Sequence, residues 1–439
     1  MSKIFEKVLA KQITLYFEQN NLFSEAQFGF RNNRNTSKAV QTIVESLICP
    51  QTKSKRVTVL NIRFDLSKAF DLVDHDILIS KLGCYNFSEK AILLVKSYLK
   101  GRFQFTEIKN QNKLFRSVKL LIDAGVPQGS ILGPLLFLIF INDLPEVLSS
   151  LGLDLKIILF ADDVSIILSG EDILSKVHTL FCKFNEWVLA NNLAINFEKT
   201  LIMNFTPNGL ESESLLFRNN VICITKSTKT LGFHLDDRLK WSEHIEKVNA
   251  KIRSRLWLLR NLKREVNSET LITYYYANIN SLIHYGIYLW GFSGEAEKIL
   301  KSQKAALRII DSKPTHYHCK SLFIKYGILT VYALYIFETI KAAIEQNLIN
   351  HANTNPDHGH FTRHNFASAE KNESRMNPYL SVRAKDLFNR LPNDLKEIVK
   401  NDGPATFFLK RLKMYLKSKP FYSLKEFLNP DGILGSDGL

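Results

Sequence analysis

LKIILFADDVSIIL, residues 155–168, is the stretch on which the fold turns. Two apolar, β-branched runs bracket Ala161, Asp162 and Asp163, a pattern that predicts a hairpin with acidic residues at its bend. Upstream, VTVLNIRF (57–64) reads as a continuous buried strand, and Asp65 ends it. Carboxylates at the ends of core strands are costly unless water or a cation neutralises them. If the two strands lie side by side, Asp65 and at least one of Asp162 and Asp163 share a cleft and offer the hard oxygen ligands that Mg²⁺ prefers. Two such ions about 3.5–4 Å apart clamp the attacking and leaving oxygens of a phosphoryl transfer. An isolated Asp-Asp pair, by contrast, is ordinary turn chemistry.

Working outward, 439 residues with 45% apolar content exclude a disordered chain or a peptide scaffold, and the length suggests two or three domains. Lys and Arg number 58 against 43 acidic residues, and the net charge of +15 favours a polyanionic partner, nucleic acid before membrane. Cys49, Cys84, Cys182, Cys223 and Cys319 form no C-x-x-C pair, which points to a reducing compartment. The first twenty residues alternate charged and apolar residues at helical spacing and lack the features of a signal peptide. The longest apolar run, ILGPLLFLIFI (131–141), is short of the roughly 18 residues of a membrane span, so burial in a core is expected. An intracellular protein of the nucleus or cytoplasm, with no membrane partner, is the resulting expectation.

Strand-like and helical segments alternate up to about residue 235, and helical periodicity dominates afterwards. Residues 88–102 read as a helix capped by Ser88, and 242–265 as a helix with Ile245, Val248, Ile252, Leu256 and Leu259 on one face and Lys247, Lys251 and Arg255 on another. A polar stretch at about 351–379 reads as an exposed linker before a last helical unit at about 380–418, and the tail from Leu428 as a fraying end.

Six ordered segments resemble the reverse transcriptases of non-LTR (LINE-like, jockey-like) retrotransposons. RFDLSKAFDLVDH (63–75), AGVPQGSILGPLLFLIFINDL (124–144) and LFADDVSI (159–166) are similar to the palm motifs of that family. QFGFRNNRNTSKAV (27–40) resembles a fingers motif, and FNEWVLANNLAINFEKT (184–200) and LGFHLDDRLKWSEHI (231–245) resemble the two blocks that follow the palm. The resemblance implies an α+β fold, a right-hand polymerase with an antiparallel palm sheet, partial fingers, a helical thumb and a helical C-terminal region. Residues 1–235 would be fingers and palm, 236–315 the thumb and 316–439 the C-terminal region. Because the match starts just before the GFR motif, an N-terminal truncation of the fingers is expected, with no endonuclease domain in this chain.

The implied activity is RNA-directed DNA synthesis, extending a DNA primer on an RNA template with dNTPs. Asp65, Asp162 and Asp163 would be the catalytic carboxylates holding two Mg²⁺ ions, and Lys199 would protonate the leaving pyrophosphate. Arg31 would contact the triphosphate, a role that suits a guanidinium fork. Leu66, Phe70, Gln128 and Gly129 would complete the dNTP pocket, with the Phe70 ring excluding a ribose 2′-hydroxyl and Gly125 and Gly129 allowing close backbone approach. Gly232 would belong to a primer grip, and Lys247, Lys251 and Arg255 would follow the template–primer duplex. Asp236 and Asp237 read as turn or cap residues, and His316, His318 and Cys319 lack a recognisable fourth zinc ligand. A catalytically inactive element relic that binds nucleic acid is the alternative. An RNA-dependent RNA polymerase shares the palm chemistry, but Phe70 and the FADD box argue against it.

Overall fold

The run of β-branched and aliphatic residues after Val57 forms β1, Thr58–Phe64, and the two halves of the acidic hairpin form β6, Leu155–Phe160, and β7, Asp163–Gly170. The computed structural model describes residues 2–53, 57–110, 113–206, 214–349, 379–400 and 404–428. The stretch expected as a linker lies outside the described residues but for Tyr379, as does the tail beyond Leu428. The chain forms two compact units, Met1–Leu231 and Gly232–Leu439.

In the first unit, helices α1 (Ser2–Gln19), α2 (Thr36–Lys53), α3 (His75–Cys84), α4 (Glu89–Leu99), α5 (Leu132–Ile141), α6 (Leu144–Ser149) and α7 (Ile173–Ala190) surround a six-stranded sheet. With β8 (Leu201–Asn204), β9 (Ser214–Phe217) and β10 (Asn220–Ile224), the strand order is β6-β7-β1-β8-β10-β9. All pairings are antiparallel except β8 with β10. Alternation along β1 sends Leu60, Ile62 and Phe64 into one large core, where Phe64 stacks on Phe184 of α7 at 3.9 Å between ring centres. The opposite face, with Val59 and Asn61, is covered by α2. Both sheet faces are therefore dry, which explains why β1 and β7 read as continuous apolar runs rather than alternating ones.

Helix α5 is apolar all round because it is enclosed: nine of its residues are buried. Residues Leu132–Ser149 are long and apolar enough to cross a membrane by length and composition, yet 67% of that stretch is buried inside the fold. The side chain of Ile131 caps nothing; instead Glu6 of α1 reaches the α5 N-terminus and accepts from the N–H of Ile131 at 2.8 Å. At the other end, Asn142 accepts from the Ser24 N–H and donates to the Leu22 carbonyl, and Asp143 holds the ammonium of Lys81 at 2.8 Å. The Asn-Asp that closes the apolar run thus ties α5 to the α1 exit loop and to α3.

Helix α4 begins as expected, with Ser88 accepting from the Ala91 N–H, but stops at Leu99 rather than 102. Gly101 takes φ +71°, a left-handed conformation that ends the helix and starts a strand. That strand opens a ribbon not foreseen in the sequence: β2 (Arg102–Gln104), β3 (Glu107–Asn110), β4 (Lys113–Arg116) and β5 (Leu120–Ile122).

In the second unit the described residues are mostly helical. Helix α8, Ser242–Leu262, buries Ile245, Val248, Ile252, Leu256 and Leu259 and exposes Lys247, Lys251 and Arg255, the two stripes that its spacing predicts. Asp236 accepts from the N–H groups of Arg238, Lys240 and Trp241, a turn role. His244 is enclosed by Phe233, Trp241 and Trp290, and burial, with smaller contributions from His234 and Lys251, lowers its pKa from 6.5 to about 4. The folded ring therefore stays neutral down to about pH 4, whereas the unfolded ring takes a proton near 6.5. The unfolded state binds more protons in that window, so stability is lost as pH falls from 6.5 toward 4, by an amount on the order of 3 kcal/mol. Thermal melts of wild type and His244→Phe across this range test it: the wild-type decline should flatten in the variant, and parallel curves would contradict the assignment.

Candidate active site

Register brings the carboxylates together. Phe64 pairs with Val164, so Asp65, the next residue, comes level with Asp163. Phe160 pairs with Asp163, leaving Ala161 and Asp162 as a two-residue turn in which Ala161 takes φ +54°. A non-glycine residue pays for that conformation, and it holds only where its surroundings enforce it. The enforcement comes from Gln27, Phe28 and Gly29, which open the QFGFR segment. The N–H of Phe28 donates to the Leu159 carbonyl at 2.7 Å, and that of Leu159 donates to Ala26 at 2.8 Å. Gln27, only 1% exposed, accepts from the N–H groups of Gly29 at 2.8 Å and Ala161 at 3.1 Å. A Cβ on Gly29 would stand 2.5 Å from the Ala161 nitrogen. Gln27 and Gly29 are supports of the acidic turn that sequence reading missed, since nothing in the order of residues joins them to position 161.

Burial raises the pKa of the Asp162 carboxyl, and the charges of Asp163 and Asp65 raise it further. Asp163 lies 3.4 Å from Arg63, whose guanidinium also donates to Thr228 and to the Lys229 carbonyl. Burial lowers the pKa of Arg63, while Asp163 and Asp65 pull it back up. Arg63 was unremarked in the sequence; a lone cation inside an apolar strand, next to a carboxylate, was the available signal. Among the described residues no three His, Cys, Asp or Glu side chains are gathered in a metal-holding cluster, neither these carboxylates nor His316, His318 and Cys319. The donor set of Asp65, Asp162 and Asp163 nevertheless suits a hard divalent cation, since burial and mutual repulsion both disfavour the charged Asp162 and a cation relieves both.

Two further segments are sewn to Asp65. The Asp65 carbonyl accepts from the N–H of Asn196 at 2.8 Å, and the Asp65 N–H donates to the buried hydroxyl of Thr200 at 3.3 Å. Leu66, buried, bridges Ile195. This places the exposed Lys199 on the segment that runs beside Asp65. On the other side the N–H groups of Gly125 and Val126 donate to the carbonyls of Val73 and Phe70 at 2.8 Å. Phe70 is half-buried and stacks on Phe137 at 4.4 Å, and Gln128 donates to Asp71 at 2.9 Å. Gly125 does allow close approach, for a Cβ there would meet the Asp71 backbone at 2.7 Å. Gly129 is different: open space surrounds it, and what demands glycine is its φ of +78°.

Arg31 is held by α1 and the loop that follows it. Its guanidinium is bidentate on Glu18, at 2.9 and 3.1 Å, and donates to the Ser24 carbonyl, with its side chain 8% exposed. In this structure it clamps the α1 exit loop, with Glu18 satisfying its fork directly. In the second unit, Gly232 takes φ +86° and packs against the Tyr285 ring.

Residues 1–235 match the family model described as reverse transcriptase (RNA-dependent DNA polymerase). The chain belongs to the reverse transcriptase family. It is similar to a probable RNA-directed DNA polymerase from transposon X-element of Drosophila melanogaster, 28% identical over 71% of this chain and 34% of that protein. A second relative, the RNA-directed DNA polymerase from mobile element jockey of Drosophila funebris, is 26% identical over 73% of this chain and 36% of its own length. The chain thus spans about a third of the length of these curated relatives. Among solved structures, the telomerase of Candida albicans in complex with a telomeric RNA fragment aligns with a TM-score of 0.42 at 13% identity, covering 95% of this chain and 58% of that one. The reverse transcriptase family works with divalent metal ions in general.

Proposed function

We propose that this reverse transcriptase extends a DNA primer on an RNA template from dNTPs. The observation that carries the reading is the β1–β7 register, which sets Asp65 level with Asp163 beside the Asp162 turn in a chain of this family. In this reading residues 1–235 are fingers and palm, 236–315 the thumb and 316–439 a C-terminal region. Asp65, Asp162 and Asp163 would hold two Mg²⁺ ions, which supply charge neutralisation at the reacting phosphate and a more acidic primer hydroxyl. Gln27 and Gly29 keep the Asp162 turn in place, Thr200 orients the Asp65 backbone, and Arg63 draws one oxygen of Asp163 toward itself. Lys199 is proposed to protonate the departing pyrophosphate, and Leu66, Gln128 and Gly129 to line the dNTP site with Phe70. Gly232 and the stripe Lys247, Lys251 and Arg255 would serve the primer and the duplex backbone. The scattered free cysteines support action inside the cell, in nucleus or cytoplasm.

Purified chain, a primed RNA template, dNTPs and Mg²⁺ test the activity, with labelled primer lengthening as the expected result. A second reading, a non-catalytic nucleic-acid binder, is favoured by one observation: Arg31 is committed to Glu18 and Ser24. Absence of extension with retained duplex binding would decide for it.

Phe70 permits a sharper test of the sugar. Its ring is half-buried against Phe137, so Phe70→Val keeps part of that packing while removing the bulk at the ring edge. Discrimination against ribonucleotides should drop by about tenfold to two-hundredfold, the scale of one group fitted to a pocket. Competition between dNTP and rNTP in single-nucleotide extension measures it, and an unchanged ratio would remove the gate role.

A further inference from the structure

The ribbon between α4 and the GVPQGS loop belongs to no part of the machinery described above. β2 pairs with β5 and β3 with β4, both antiparallel, in registers that place Phe103 opposite Leu121 and Ile108 opposite Phe115. Every described residue from Phe103 to Leu121 is exposed. A two-stranded ribbon bare on both faces is marginal in water, and a run of exposed large apolar side chains marks a surface that something covers. Phe103, Phe105, Ile108, Phe115, Val118 and Leu120 make that run.

Charge says what covers it. Between Arg102 and Ile122 the cations Arg102, Lys109, Lys113, Arg116 and Lys119 face a single carboxylate, Glu107. Cations and apolar groups share each face. Ile108 and Phe115 stand beside the Asn110–Lys113 pair, while on the other face Leu114 lies opposite Lys109 and next to the Glu107–Arg116 pair. Arg116 and Lys119 lie 5.4 and 5.9 Å from the centre of the Phe105 ring. A second copy of the ribbon would bring like charges together, and a double helix hides the base faces that the phenylalanines would meet. A polymer alternating anionic phosphates with open π-faces matches both features.

We propose that the ribbon of β2, β3, β4 and β5 is a docking surface for single-stranded nucleic acid, separate from the carboxylate site. Phosphates pair with Lys109, Lys113 and Arg116, and unpaired bases lie on the Phe103, Phe105 and Phe115 rings. Binding here requires no catalysis, so the proposal stands or falls independently of the polymerase reading.

The test uses the full chain, a labelled unstructured single-stranded RNA and a blunt duplex, with fluorescence anisotropy across a salt series. Lys109→Gln, Lys113→Gln, Arg116→Gln together should weaken single-strand binding and flatten its log–log salt slope by about two, for three phosphate contacts. Phe103→Ser, Phe105→Ser, Phe115→Ser together should weaken it by about tenfold or more, the scale of lost base stacking, with the salt slope kept. Photo-crosslinks from 4-thiouridine RNA should map to the ribbon in wild type. All six positions are exposed, so both variants should melt with wild type. Unchanged affinity with crosslinks elsewhere overturns the proposal. Equal loss of duplex binding overturns the single-strand assignment, and a change confined to sedimentation shows a contact between copies instead.

Discussion

Replacing Asp162 and Asp163 together by asparagine should reduce primer extension by about 10³-fold or more while leaving the first unit folded. Asparagine keeps the shape of each side chain and an oxygen that can still accept from the Asp162 N–H, while the other bonds of the turn run through Gln27, Ala161, Phe160 and the β6–β7 ladder. What goes is charge. Neutralising a metal-held phosphate is worth several kcal/mol, and each 1.36 kcal/mol is a factor of ten in rate. Stability should hold or rise slightly, because burial together with Asp163 and Asp65 already disfavours the charged Asp162. Asp163→Asn also loosens the charge partner of Arg63, though Thr228 and Lys229 still accept from that guanidinium. Extension by the double variant within tenfold of wild type would remove these residues from the chemistry.

Gly29→Ala should cost about 10²-fold in turnover, although Gly29 touches no substrate in any reading. The added methyl meets the Ala161 nitrogen at 2.5 Å and the Phe160 carbonyl carbon and the Gln27 oxygen at 3.1 Å. Two of these neighbours are backbone of the acidic turn and cannot swing aside, so either the Ala26–Gly29 segment or the turn must move. A displacement approaching 1 Å at a reacting group is enough for a hundredfold loss. Overpacking of this kind should also destabilise the first unit by about 1–3 kcal/mol. Turnover should fall more than the KM for dNTP changes, and Gln27→Glu should lower activity less than Gln27→Leu, since a glutamate oxygen still accepts from Ala161. Binding of Mn²⁺ by the free protein, followed by its paramagnetic resonance signal, gives a readout that does not pass through catalysis: it should weaken in Gly29→Ala. Wild-type turnover together with wild-type melting would show that the turn does not lean on Gly29.

The residues that announce chemistry here were legible because their signals are local. A continuous β-branched apolar run, a two-residue bend, a serine at a helix start and a 3.6-residue stripe each depend on neighbours within a few positions, and β1, the β6–β7 hairpin, the start of α4 and both faces of α8 follow from them. The carboxylates were found for the same reason, since each sits at the end of a strand that the chain itself marks.

Partnership across the fold was decided elsewhere. Gln27 meets Ala161 across 134 positions, Asp65 meets Thr200 across 135 and Arg63 meets Asp163 across 100. Arg31 and Glu18 are only 13 apart, yet the turn between them had to form before the arginine could be seen to face Glu18. Gly125 and Gly129 look alike in sequence, and only the approach of the Asp71 backbone separates a glycine needed for space from one needed for its φ. The exposed ribbon is the strongest instance: its strands were not foreseen, and among the described residues Phe103 to Leu121 all stay exposed. Sequence by itself determined the strand β1, the acidic hairpin, the starts of α4 and α8, where the carboxylates stand and which face of α8 is basic, because backbone propensity and side-chain periodicity act over a turn or two of chain. Tertiary structure alone decided which polar groups support the acidic turn and which apolar ones stay in water, because those outcomes depend on the packing of segments a hundred residues apart.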